Sequence, residues 1–153
     1  MKLGDVLRKE RTKRDLAAAD AAQRLEMTED DYRQLEAGET PAEIWGPHLA
    51  QIAIALETPT SRLLAESGRA ADTRPGQAGE LIRGHRERQG KTPEEMAAAL
   101  GIEVDAYRAI EAGESPLETW GPRLLAFAEA IEQPVFNLFY PCGLPFQELD
   151  DYP

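Results

Sequence analysis

The stretch from Asp30 to Pro47 returns as Asp105 to Pro122, offset by 75 positions with no gap. Tyr32, Glu36, Gly38, Glu39, Pro41, Glu43, Trp45 and Gly46 all recur at that spacing. The match extends upstream (Arg11/Arg86, Leu25/Leu100) and downstream (Leu49/Leu124, Ala53/Ala128, Pro59/Pro134, Leu63/Leu138). Solenoid units are shorter, about 20–50 residues. A period this long therefore predicts two copies of one small domain. The expected boundaries are 1–67 for the first copy, 68–77 for a linker, 78–140 for the second copy and 141–153 for a tail. Domains of roughly 65 residues bury only about 60% of their unfolded surface, so the copies are expected to pack on each other.

Apolar residues recur with helical period throughout, and no segment alternates long enough to argue a strand. The pattern predicts helices near 3–14, 17–25, 29–37, 47–57 and 60–66, and again near 78–89, 93–100, 104–112, 122–132 and 135–140. Pro93 and Pro122 suit first-turn positions, where a missing N–H has no helical partner. Gly38 and Gly113 suit left-handed helix ends. The linker around Gly68, Pro75 and Gly76 is rich in small residues. The tail from Pro141 is not a regular helix, and its Leu144 and Phe146 are expected to pack on the second domain.

Cys142 is the only cysteine, and His48 and His85 lie far from it and from each other. That excludes an intramolecular disulfide and any zinc-binding spacing. No nucleophile–base pair or phosphate-binding loop is legible, so neither an enzyme nor a cofactor is expected. The N-terminus runs straight into amphipathic sequence, and no run of 18 apolar residues occurs. The expectation is a soluble, cytoplasmic protein with no membrane association.

The second and third helices of each copy are joined by a tight turn, a helix-turn-helix arrangement. The run from Glu80 through Thr92-Pro93-Glu94-Glu95 to Leu100-Gly101-Ile102, with Ile110-Glu111-Ala112-Gly113 after it, resembles the Cro/CI (XRE, lambda-repressor-like) family. With the first copy aligned to the second, the resemblance covers about 130 residues. It implies an all-α chain of two tandem five-helix domains. It also implies an ion pair in each copy, between an arginine late in the first helix and the glutamate ending the recognition helix. Here those residues are Arg11 with Glu36 and Arg86 with Glu111. A guanidinium gripping a carboxylate through two contacts fixes helix orientation, so both pairs read as architecture. The tryptophans and their apolar neighbours read as core rather than a ligand platform.

The surface departs from the family. Ala18 and Pro93 stand where it commonly places a polar residue. The recognition helices open on Glu29-Asp30-Asp31 and on Glu103-Val104-Asp105. Residues 17–45 hold eight acids and two basic residues (−6), and residues 92–120 hold seven acids and one basic residue (−6), within a chain of net charge −11. Carboxylates so placed would face phosphates, which binding must neutralise with Lys and Arg. The segment from Gly38 to Pro47 also reads as a connection about two residues longer than the family's, displacing the fourth helix.

Two functions compete. One is a regulator of gene expression that acts through a partner protein with a basic surface, a transcription factor or polymerase component. It would serve as antiactivator, adaptor or DNA mimic, with weak or absent DNA binding. Its contact surface would be Glu29, Asp30, Asp31, Arg33, Gln34, Glu103, Asp105 and Arg108. The other is an XRE regulator that reads operator DNA through Arg33, Gln34 and Arg108, its tandem copies forming a pseudo-dimer. Phosphate contacts would then come from Arg8, Lys9, Lys13, Arg83 and Arg88. Local charge favours the first.

Overall fold

Residues 2–58, 63 and 76–131 are described by a computed structural model. Among them are eight helices and no strand: α1 (Leu3–Lys13), α2 (Ala18–Arg24), α3 (Glu29–Glu36), α4 (Ala42–Ala55), α5 (Gln77–Arg88), α6 (Pro93–Leu100), α7 (Val104–Glu111) and α8 (Leu117–Ala130). The last three start 75 positions after their counterparts. Of the expected fifth helices, only Leu63 lies within the described residues, where it is helical and fully buried. The rest of both segments, most of the linker and the whole tail lie outside them.

Local chemistry explains where most helices start and stop. Thr92 accepts from the Glu95 N–H at 3.1 Å, and Glu95 Oε1 accepts from the Thr92 N–H at 3.1 Å. That reciprocal cap, with Pro93 as first helical residue, fixes the start of α6. Gly38 (φ 76) and Gly113 (φ 78) close α3 and α7 in the left-handed region. Around them the Glu39 N–H reaches Gln34 O and the Gly38 N–H reaches Leu35 O, with Glu114→Ala109 and Gly113→Ile110 as the counterparts. These paired bonds satisfy carbonyls the helix leaves orphaned.

α4 and α8 correct the sequence reading. They begin at Ala42 and Leu117, about five residues before the expected 47 and 122, so Pro47 and Pro122 sit inside helices. There is no lengthened loop, because its extra residues are helical. The first turn is nucleated earlier: the Ile44 and Trp45 N–H groups both reach Pro41 O, at 3.0 and 2.9 Å. Thr40 Oγ1 and Ser115 Oγ accept from the Ala42 and Leu117 N–H groups at 3.3 and 3.2 Å. A proline ring presses on the residue before it, and here that residue is Gly46 or Gly121, which has no Cβ.

The buried side chains of both copies form one continuous core. α1 packs on α3 and α4, and α5 on α7 and α8. Across the repeat, α4 packs against α8, α4 against α6, and α2 against α8. The last two contacts are one contact seen from either side, the reciprocity of a two-fold interface. Tyr32, Tyr107 and Phe127 are the largest fully buried side chains. Trp120 is buried, with Arg123 stacked 4.9 Å from its ring centroid, whereas Trp45 is only half-buried, edge-on to His48.

Two glycines let α1 and α5 sit against the ends of α3 and α7. A Cβ on Gly4 would lie 2.6 Å from Leu35 O and closer still to Glu36 O, and one on Gly79 2.6 Å from Glu111 O. Those neighbours are backbone and cannot swing aside. Gly79→Ala is therefore expected to destabilise by about 1–3 kcal/mol. Gly84→Ala, on the same helix with only the Arg88 side chain nearby at 3.6 Å, should be neutral or stabilising by up to about 1 kcal/mol. Urea midpoints decide it: equal midpoints for the two variants would contradict the close approach.

Candidate recognition surfaces

Each surface rests on an ion pair that ties three elements together. Arg11 Nε and Nη2 donate to Glu36 at 2.6 and 3.1 Å, while Nη1 donates to Leu16 O at 2.9 Å in the turn before α2. Arg86 donates to Glu111 at 2.5 and 3.1 Å and to Lys91 O at 2.9 Å. The end of α1 or α5 is thereby fixed to the turn that follows and to the end of α3 or α7. The glutamate hydrogen bonds hold both guanidinium pKa values above their usual position, against the opposing effect of burial.

A tyrosine one turn earlier lies beside the glutamate of each pair. The Tyr107 hydroxyl donates to Glu111 Oε2 at 2.6 Å. The Tyr32 hydroxyl is buried near Glu36 but meets no hydrogen-bond partner in ordinary geometry. Burial first, then the adjacent carboxylate, pushes both phenols well above their usual range.

The outward faces of α3 and α7 are acidic. Glu29, Asp30, Asp31, Glu103 and Asp105 are all exposed, as are Arg33, Gln34 and Arg108. Thr28 caps α3, accepting from the Asp31 N–H at 3.1 Å. Three acids in that first turn complement the positive end of the helix. Arg33 and Arg108 are the only cations on the two helices, and neither is free. Arg33 donates through Nε and Nη2 to Glu29 Oε2, at 3.0 and 2.5 Å. Arg108 Nη2 donates to Glu94 of α6 at 3.0 Å, and its Nη1 lies 3.7 Å from Asp105.

The basic residues lie on other helices. Arg8, Lys9 and Lys13 are exposed on α1, with Arg8 3.2 Å from Asp5 and Lys13 3.7 Å from Glu10. Arg83 and Arg88 are exposed on α5, and Arg88 donates to His85 Nδ1 at 3.0 Å.

Glu43 and Glu118 escaped the sequence reading. Glu43 accepts from the Leu3 and Gly4 N–H groups at 3.0 and 2.8 Å, and Glu118 from those of Ala78 and Gly79 at 3.2 and 2.8 Å. Each carboxylate caps the first helix of its copy from the fourth. Their recurrence at the 75-residue offset was the available signal; their partners are backbone groups, which leave no mark in a sequence. Among the described residues, no group of three or more His, Cys, Asp or Glu side chains could hold a metal, and no helix is long and apolar enough to cross a membrane.

Residues 77–134 match the family model of a helix-turn-helix domain. No curated protein and no solved structure matches the chain.

Proposed function

We propose that this chain is a regulator of gene expression that works through a partner protein with a basic surface. Its two repeats are read as tandem XRE-like helix-turn-helix units with weak or absent sequence-specific DNA binding. The observation that carries this reading is the state of Arg33 and Arg108. Each is the sole cation on its recognition helix and is already paired with neighbouring carboxylates. To read a base, either arginine would have to leave its partner beside DNA phosphates. Exposed pairs are weak, worth about 0–1 kcal/mol, so the larger obstacle is the field of the remaining acids. The same field would speed association with a basic groove, as an antiactivator, adaptor or DNA mimic would require. Solubility in the cytoplasm suits such a role.

A second reading, direct operator binding, is favoured by the helix-turn-helix match over 77–134. Fluorescence anisotropy near physiological salt, with duplexes recovered by selection from a randomised library, separates the two. The intact chain should bind no tighter than about 10⁻⁵ M, within the non-specific range. Residual binding should depend on Arg8, Lys9, Lys13, Arg83 and Arg88 and fade as salt rises. Changing Glu29, Asp30, Asp31, Glu103 and Asp105 to their amides should tighten binding by about tenfold or more. Unchanged affinity in that variant would show that the acids do not guard the surface.

A further inference from the structure

The two copies are not equally well built around their second and third helices. Gly101 follows α6 with φ 69, where a glycine carries no steric cost, while its counterpart after α2 is Glu26 with φ 58. Gly90 (φ 67) likewise corresponds to Asp15 (φ 52). α6 carries the reciprocal Thr92–Glu95 cap, whereas α2 has Ala17 and Asp20 at those positions and no side-chain cap. One difference runs the other way: Thr28 caps α3, and Glu103 does not cap α7.

We infer that the α2–α3 unit of the first copy is built to open locally while the α6–α7 unit stays closed. A left-handed glutamate, a left-handed aspartate and a missing cap each raise the folded state's free energy there. The single Thr28 cap offsets one of them. α4 also ends on a left-handed glutamate, Glu57 with φ 50, but it is held on α8 and α6, so the opening need not spread. Local openings of this kind are cooperative over a supersecondary unit. The surface bearing Glu29, Asp30, Asp31, Arg33 and Gln34 is thus labile, and the one bearing Glu103, Asp105 and Arg108 is rigid. This asymmetry holds whichever macromolecule the surfaces meet.

Native-state hydrogen exchange of the full chain tests it, with rates corrected for sequence. Amides of Ala18–Glu36 should exchange at least about tenfold faster than those of 93–111, the equivalent of a 1.4 kcal/mol difference in opening. Glu26→Gly removes only the strained conformation and should slow exchange in α2–α3 by about 5- to 30-fold. Gly101→Glu should speed exchange in α6–α7 by a similar factor. A Cβ added at Gly101 meets nothing within 4 Å, so that effect would be the backbone's own. Equal protection in the two units, or Glu26→Gly with no effect on α2–α3, would overturn the inference.

Discussion

Arg86→Ala or Glu111→Ala should each lower the unfolding free energy by about 3–5 kcal/mol, the usual result of stranding one member of a buried pair. The side chains of Arg86 and Glu111 are only 12% and 11% exposed, so water reaches the orphan poorly. Glu111→Ala would also leave the Tyr107 hydroxyl and one end of Arg86 without their acceptor. Small domains have only about 5–15 kcal/mol in total, and either variant should melt far earlier than the parent. Replacing both residues with apolar ones of similar size should cost much less than either single change. Urea denaturation of the three variants reads this out. Single variants within about 1 kcal/mol of the parent would mean that the pair is solvated in solution.

Phe127→Ala should cost about 3–5 kcal/mol as well, because it empties a large, fully buried site. Its more telling consequence concerns the first copy. Phe127 lies on α8, which packs against α2 and α4 as well as α5. The chain carries one tryptophan in each repeat, Trp45 and Trp120. Single-tryptophan variants therefore report each half's unfolding separately. Both midpoints should move down together in the Phe127→Ala background. A Trp45 midpoint that stays in place would divide the core into two independent ones.

Much of this architecture can be read from the chain because the repeat prints each structural demand twice. Gly38 and Gly113 had to be left-handed helix ends, since a glycine in both copies just past a periodic run has few other uses. Pro93 marks a helix start by its own chemistry, and the Thr92–Glu95 cap beside it is confined to four consecutive residues. The Arg–Glu pairing was accessible only through the family resemblance, because its partners are 25 positions apart. Contacts with backbone were invisible: neither the capping by Glu43 and Glu118 nor the close approach at Gly4 and Gly79 selects a recognisable partner side chain. The starts of α4 and α8 differ from the expected 47 and 122 because Pro122 suits a first-turn position in sequence yet lies inside its helix, as Pro47 does in the other copy. A preceding glycine, Gly46 or Gly121, accommodates each proline five residues further in. The exposed acids of α3 and α7 were plain in the sequence. That Arg33 and Arg108 fold back onto Glu29 and Glu94 was not, since surface side chains choose among many neighbours.

The central claim is that these surfaces serve recognition of protein rather than DNA sequence. Selection of the intact chain against a fully randomised duplex library, at 200 mM salt, tests it most directly. At that salt, non-specific phosphate contacts are largely competed away. The account predicts that no sequence is enriched over rounds and that recovered duplexes bind no better than the starting pool. Enrichment of one motif, bound at nanomolar concentration and lost on Arg33→Ala or Arg108→Ala, would contradict it. Those arginines would then exchange their carboxylates for bases, and the surrounding acids would act by repelling wrong sites.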